Sequence, residues 1–316
     1  MRQFNHLTRR EALLGLAGGA AVLRAADDGS TTEVLKFGAS TIEIEISEGA
    51  FDLGRVAIVD WIRKAVSAVS AYYGRFPVPA ARMEIQIVEG RGSVFNGVTY
   101  GRSPDRSTLT RVNVGQHITQ AALDADWVAT HELVHLAFPS VPRRNHWIEE
   151  GLSTYIEPLA RLHLKQITED VFWRDMIRDM PQGLPQDNDH GMDHTHTWGR
   201  TYWGGAIYCL QAEVAIRERT ANRKGLQQAL RGILEKVGSI QEDAELGPVL
   251  EAGDKATGTS CLMELYGRVK DQPEPANLSE LWKSLGVSWE GGGRVGYDDK
   301  ARLAATRKAI VTPTRR

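Results

Sequence analysis

The sequence predicts an α+β fold of two lobes, on three observations. The front of the chain mixes strand-like alternation with helical spacing. The back half reads as nearly all helical, and a histidine pair sits on the helix between the two. With 316 residues the chain can bury a full core as one large domain or two subdomains. Hydrophobic content of 42% and charged content of 25% belong to an ordinary globular protein. A formal net charge of −2 gives no reason to expect nucleic acid as a partner, because polyphosphate binding needs a basic face. No apolar run reaches the roughly 20 residues that a membrane helix requires.

Residues 1–26 read as an export signal outside the fold. Arg9-Arg10 precede the apolar, Ala/Gly-rich stretch from Ala12 to Leu23, and the small pair Ala25-Ala26 follows. That is the order of a twin-arginine-type signal, so the mature chain is expected outside the cytoplasm, periplasmic or secreted. The fold is expected over residues 27–290, with an N-lobe at about 31–138, a helical C-lobe at about 139–290, and a tail over 291–316.

Strand material begins at Thr31. In "STIEIEIS", Ile42, Ile44 and Ile46 alternate with Glu43 and Glu45, the period-two signature of a half-buried strand. Residues 51–74 have helical spacing, with Val56, Val59, Ile62, Val66 and Val69 on one side. "RMEIQIVE", "SVFNGVTYG" and "STLTRVNVG" read as three further strands. One helix is expected from about Gln120 to Phe138, stopping at Pro139. Helices are then expected at 146–164, 166–179, 201–219, 224–237, 259–269 and 278–285, with the Pro-rich "DQPEPANLSE" as a short connector. The tail from Gly291 is weakly patterned, an edge strand or loose. Cys209 and Cys261 could pair in an oxidising compartment or remain two buried thiols.

Chemistry concentrates in "HELVH", residues 131–135. Residues four apart share a helix face, so His131 and His135 can offer two imidazole nitrogens to one tetrahedral metal. Glu132 is offset by one position, where a carboxylate sits beside an open coordination position and takes a proton from water. Catalytic zinc often adds one glutamate to two histidines, and Glu149 and Glu150 follow on the next predicted helix. Helical angle favours Glu149, which lies nearer the apolar set Ile148, Leu152, Tyr155 and Leu159. The absence of a side chain at Gly151 favours Glu150, since it lets two helices approach there. The residues alone leave the doublet open.

"HELVH…HWIEEGLSTYIEP" resembles the gluzincin metallopeptidases, in which W-x-x-E-G-x-x-x-Y follows HExxH. The resemblance implies a zincin-like two-lobed peptidase with its site in the cleft. It implies one Zn2+ held by His131, His135 and Glu150, with Glu132 as general base and Glu149 beside the ligands or solvated. The segment from Thr201 to Glu235 further resembles the glycyl aminopeptidase-like members, with Tyr202 and Gly205-Ala206 at matching positions and Gly204 where that pattern has lysine. Only about 100 mature residues precede the motif, too few for that family's N-terminal β-domain, so aminopeptidase specificity is not carried over.

Tyr202 is a candidate donor to the oxyanion of a scissile carbonyl, or a core aromatic beside Trp203. Tyr155 is an alternative donor, or packs between helices. "DNDHGMDHTHTW" gathers His190, His194 and His196 with Asp187, Asp189 and Asp193, to line the cleft, hold a second metal, or form a solvated loop. His146 reads only as a helix-start residue. "GSVFNGVTYG" is either the strand that pairs with an extended peptide or an ordinary sheet strand. The expected activity is therefore zinc-dependent hydrolysis of a peptide or protein substrate. An aminopeptidase and a non-catalytic zinc-stabilised binding module are the rivals.

Overall fold

The computed structural model describes residues 22–25, 31–102 and 107–313. The expected signal lies outside them except for Val22–Ala25, which form strand β1 and pair with β2, so this end of the segment lies in the sheet and not outside the fold as expected. β1 pairs antiparallel with β2 (Thr31–Phe37), and β2 with β3 (Ser40–Ile46). Helix α1 (Arg55–Tyr73) then makes the crossover that a parallel pair requires and delivers β4 (Ala80–Val88) beside β3. The next strand, β5 (Val94–Tyr100), pairs antiparallel with β6 (Thr108–Gly115), and β6 runs parallel to β4. The sheet order β1-β2-β3-β4-β6-β5 leaves β5 at an edge. Ile42, Ile44 and Ile46 are fully buried, as their alternation predicts, in a core with Met83, Ile85, Val112, Val114 and the α1 residues Ile58 and Ile62. The opposite face carries charge, where Arg82 bridges Glu45 (2.6 Å) and Glu84 (3.0 Å).

Helices α2 (Gln120–Ala125) and α3 (Val128–His135) replace the single helix expected from Gln120 to Phe138. The break comes from Asp126, which takes extended dihedrals (φ −61°, ψ 143°). Its carboxylate accepts from the Ala129 amide (3.3 Å) and from Trp61 Nε1 (3.1 Å), capping a new helix start. At the far end Ala137 and Phe138 bond back to Val134 and His135, an i→i+3 turn that closes the helix before Pro139.

The remaining elements are nearly all helical. They are α4 (His146–His163), α5 (Glu169–Asp179), a π-helical turn Arg200–Gly204 running into α6 (Gly205–Arg219), α7 (Leu226–Lys236), α8 (Leu246–Thr257), α9 (Cys261–Val269) and α10 (Leu278–Leu285). A two-stranded hairpin of β7 (Val287–Trp289) and β8 (Val295–Tyr297) and helix α11 (Ala304–Val311) follow. The sequence reading has no place for α8 or α11. Gly247, Pro248 and Gly253 disguise α8, yet Pro248 falls in the first turn, where a missing N–H goes unused. The tail holds the three-residue strand β8, one of the two readings expected of it, and the helix α11, which was not expected. Its anchor is the buried Arg307, which donates to the carbonyl oxygens of Gly286 (2.8 Å) and Leu285 (3.2 Å).

The chain divides into two compact units, Met1–Ser67 with Val78–Leu133 and Ala68–Pro77 with Val134–Arg316. The division passes through α1 and through α3. In the second unit α4 and α6 meet backbone to backbone. A Cβ added to Gly151 would stand 2.3 Å from the Gly205 Cα, so neither position has room for a side chain. The approach that Gly151 permits is therefore that of α6. Helix α6 is buried along almost its whole length and carries the ion pair Glu213–Arg217. Cys209 and Cys261 are two free, buried thiols. Among the described residues no helix is long and apolar enough to cross a membrane.

Candidate metal centre

Helix α3 carries His131, Glu132 and His135, all held by backbone geometry: a four-residue interval puts the two imidazoles on one face. His131 is buried and meets the exposed Trp127 edge-on, ring centroids 5.3 Å apart. His135 is half-buried, and its Nε2 lies 3.6 Å from Glu150 Oε2 on α4. One donor atom from each of His131, His135 and Glu150 lies within 4.8 Å of the other two. Donors around a tetrahedral zinc stand about 3.4 Å apart, given metal–ligand bonds of about 2.0–2.2 Å, so this trio fits a zinc ion after a small contraction. Two imidazoles and a carboxylate are also the donor chemistry that zinc takes. It is the one such group of three or more His, Cys, Asp or Glu residues among the described residues.

Geometry separates the glutamate doublet. Glu150 is buried and faces His135. Glu149 is turned away: its Oε2 lies 2.9 Å from His146 Nδ1, and its Oε1 accepts from the Val141 amide at 3.4 Å. His146 is therefore more than a helix-start residue, because its Nε2 also lies 3.2 Å from Glu150 Oε1. The bonds to Glu149 first, and to Glu150 second, push the His146 imidazolium up to about 10. The sequence contains the signal for this, since residues three and four apart on a helix are neighbours.

Glu132 is buried beside β5. Thr99 Oγ1 donates to its Oε2 at 2.8 Å. A Cβ on Gly97 would lie 2.4 Å from Glu132 Cγ and 2.8 Å from Oε1, so this glycine makes room for the glutamate. Gly97 and Thr99 carry no sequence signal, because their link to Glu132 exists only through strand register. β5 is an edge strand whose register is interrupted by an irregularity between Val94 and Asn96.

Tyr202 lies in the π-helical turn, three residues before Gly205, and this turn packs against α4. Its half-buried ring stacks on the exposed Trp198, with centroids 5.6 Å apart. Tyr155 is fully buried in edge contact with Phe172, its hydroxyl in the core. His196 is exposed in the loop before the π-helical turn. The rest of the acidic–histidine loop is neither solvated throughout nor a second metal group. Asp193 is buried and accepts from Trp147 Nε1 (2.8 Å), Asn145 Nδ2 (2.9 Å) and the Tyr266 hydroxyl (2.7 Å), which pins the loop to the start of α4. Asp189 pairs with the buried Arg200 (2.5 Å), and His194 with Asp271 at the surface (2.9 Å).

Solved structures share this fold. An aminopeptidase N family protein from Idiomarina loihiensis superposes with a TM-score of 0.59 at 13% identity, covering 82% of this chain and 49% of that one. A mutant two-domain M1 zinc metallopeptidase bound to L-arginine superposes with a TM-score of 0.50 at 15% identity, covering 82% and 55%. The chain thus spans about half the length of the solved structures it matches. No protein-family model matches the sequence, and no curated protein matches it.

Proposed function

We propose that the chain is an exported zinc metallopeptidase of the gluzincin type, acting on peptide or protein substrates. The observation that carries this reading is the convergence, within 4.8 Å of one another, of donors from His131 and His135, on the helix that also carries Glu132, and from Glu150 on α4. The fold shared with M1 zinc metallopeptidases supports it, and so does the HELVH…WIEEG pattern. Export rests on the twin-arginine-type pattern of residues 1–26.

In this reading His131, His135 and Glu150 hold one zinc ion. When bound, zinc supplies Lewis acidity, polarising a carbonyl and making a water molecule acidic near neutral pH. Glu132 would accept a proton from the attacking water and return it to the leaving amine. The Tyr202 hydroxyl donates a hydrogen bond to the oxygen that becomes negative as the scissile carbonyl is attacked. The π-helical turn favours this role, because such turns recur where a helix is adjusted to present a functional side chain. Glu149 orients His146, and through it Glu150. The open edge of β5 gives an extended peptide a strand to pair with.

The test uses mature protein starting near Asp27, purified without chelator, alongside Glu132→Gln. Zinc content and cleavage of a mixed peptide library are measured for both. One zinc in each with cleavage by the wild type alone is the expected result, and the fragments then distinguish internal from N-terminal cleavage. One zinc in each with no cleavage by either favours a zinc-stabilised binding module. A wild type without zinc rejects the ligand set.

A further inference from the structure

Beyond the three ligand residues, β5 grips Glu132 in a way that its edge position does not require. Thr99 Oγ1 lies 2.8 Å from Glu132 Oε2, 3.0 Å from the Glu132 carbonyl oxygen and 3.1 Å from Thr110 Oγ1 on β6. A hydroxyl has one proton to give. The carboxylate is both the nearest of these acceptors and the charged one, so it takes that proton. The buried Thr110 hydroxyl is placed to donate into the Thr99 oxygen, making a short relay that ends on Glu132. Two residues earlier Gly97 meets the stem of the same side chain, where a Cβ would stand 2.4 Å from Glu132 Cγ. The glutamate is thus held at one oxygen and bedded against a bare Cα.

We infer that Thr99 is a positioning residue for Glu132: its hydroxyl holds Oε2 and so fixes the direction and plane of the carboxylate. This inference rests on the reading of Glu132 as general base. A base works only at a defined angle to the proton it takes, and a displacement of about 1 Å can cost 100-fold in rate. A threonine serves here because valine has nearly its shape without the donor, so the hydroxyl is separable from the packing.

The experiment compares zinc-loaded wild type, Thr99→Val and Thr99→Ser on a peptide that the wild type cleaves, with zinc content, kcat, KM and crystal structures of all three. Valine is at home in a strand, so Thr99→Val should fold. The expected result is one zinc in each protein, KM within about twofold, and kcat of Thr99→Val lower by about 10- to 100-fold. Thr99→Ser should recover kcat to within about threefold of wild type, and the Glu132 carboxylate should leave its seat only in Thr99→Val. Wild-type kcat in Thr99→Val overturns the inference, and so does a Thr99→Ser no better than Thr99→Val, which would make the threonine a packing residue. A wild type that binds no zinc or cleaves nothing rejects the parent reading instead. The Thr99→Val crystal structure then decides the inference alone: a displaced carboxylate supports it and an unmoved one overturns it.

Discussion

Glu149 and Glu150 are adjacent in the chain and both lie against His146, yet of the two Glu150 is the one that also faces His135. Replacing them should therefore give unequal results. Glu150→Ala should weaken zinc binding by more than about 100-fold, while Glu149→Gln should cost about tenfold, the low end of what loss of a group behind a ligand costs. Equilibrium dialysis against a zinc buffer measures both, and equal losses would refute the assignment. The histidine pair and Glu132 were legible in the sequence because an i, i+4 interval is a property of any helix. The doublet was not, because helical angle and the gap at Gly151 point to different residues, and only the partner of each carboxylate separates them. Thr99 was invisible for a different reason, since it stands 33 positions before Glu132 and meets it only through a strand register.

At the scale of elements, alternation in β3 and the spacing of α1 from Val59 to Val69 were legible because burial on one face writes a period into the sequence, while Val56, assigned to the same side, is exposed in the first turn. The α2–α3 break was not, because Asp126 suits a helix end only once Trp61 and Ala129 stand ready to bond it. The contact of α4 with α6 makes a strong prediction. Gly151→Ala should destabilise the protein by about 2 kcal/mol or more, since it forces a methyl into backbone already in contact. Urea unfolding reads this, and a neutral result would mean that the helices can separate at no cost. The end of α4 supplies a pH dependence. His163 Nε2 lies 3.1 Å from the Ile310 carbonyl oxygen on α11, and its ring stacks on Tyr72. Burial, assisted by Arg217 and Arg231, lowers its pKa in the folded protein. The unfolded chain takes the proton near pH 6.5 and the folded one only lower, so stability should fall as pH drops below about 6.5. His163→Gln should lose less stability than wild type between about pH 7 and pH 5.5, and matching losses in the two proteins would count against this role.

Over the whole molecule, Cys209 and Cys261 contribute as buried apolar groups rather than as a crosslink. Burial holds the Cys209 thiol well above its usual range, so it is neither a ready nucleophile nor easily oxidised. The midpoint of thermal unfolding should therefore be the same with and without a reductant, and an aromatic disulfide reagent should titrate two thiols only after denaturation. A reductant-dependent midpoint would show a bond that the fold does not contain. The glycine contact between α4 and α6 also bears on anyone wishing to make this protein more robust. Replacing helical glycine with alanine normally gains up to about 1 kcal/mol, and a sequence offers no means of choosing among such positions. Here the choice is plain. Gly247 in α8 and Gly267 in α9 have nothing within 4 Å of a new Cβ and are open to that exchange, whereas Gly151 and Gly205 must be left alone. A thermostabilised variant is best sought at the first pair, since a change at the second would strike the helix that carries Glu150.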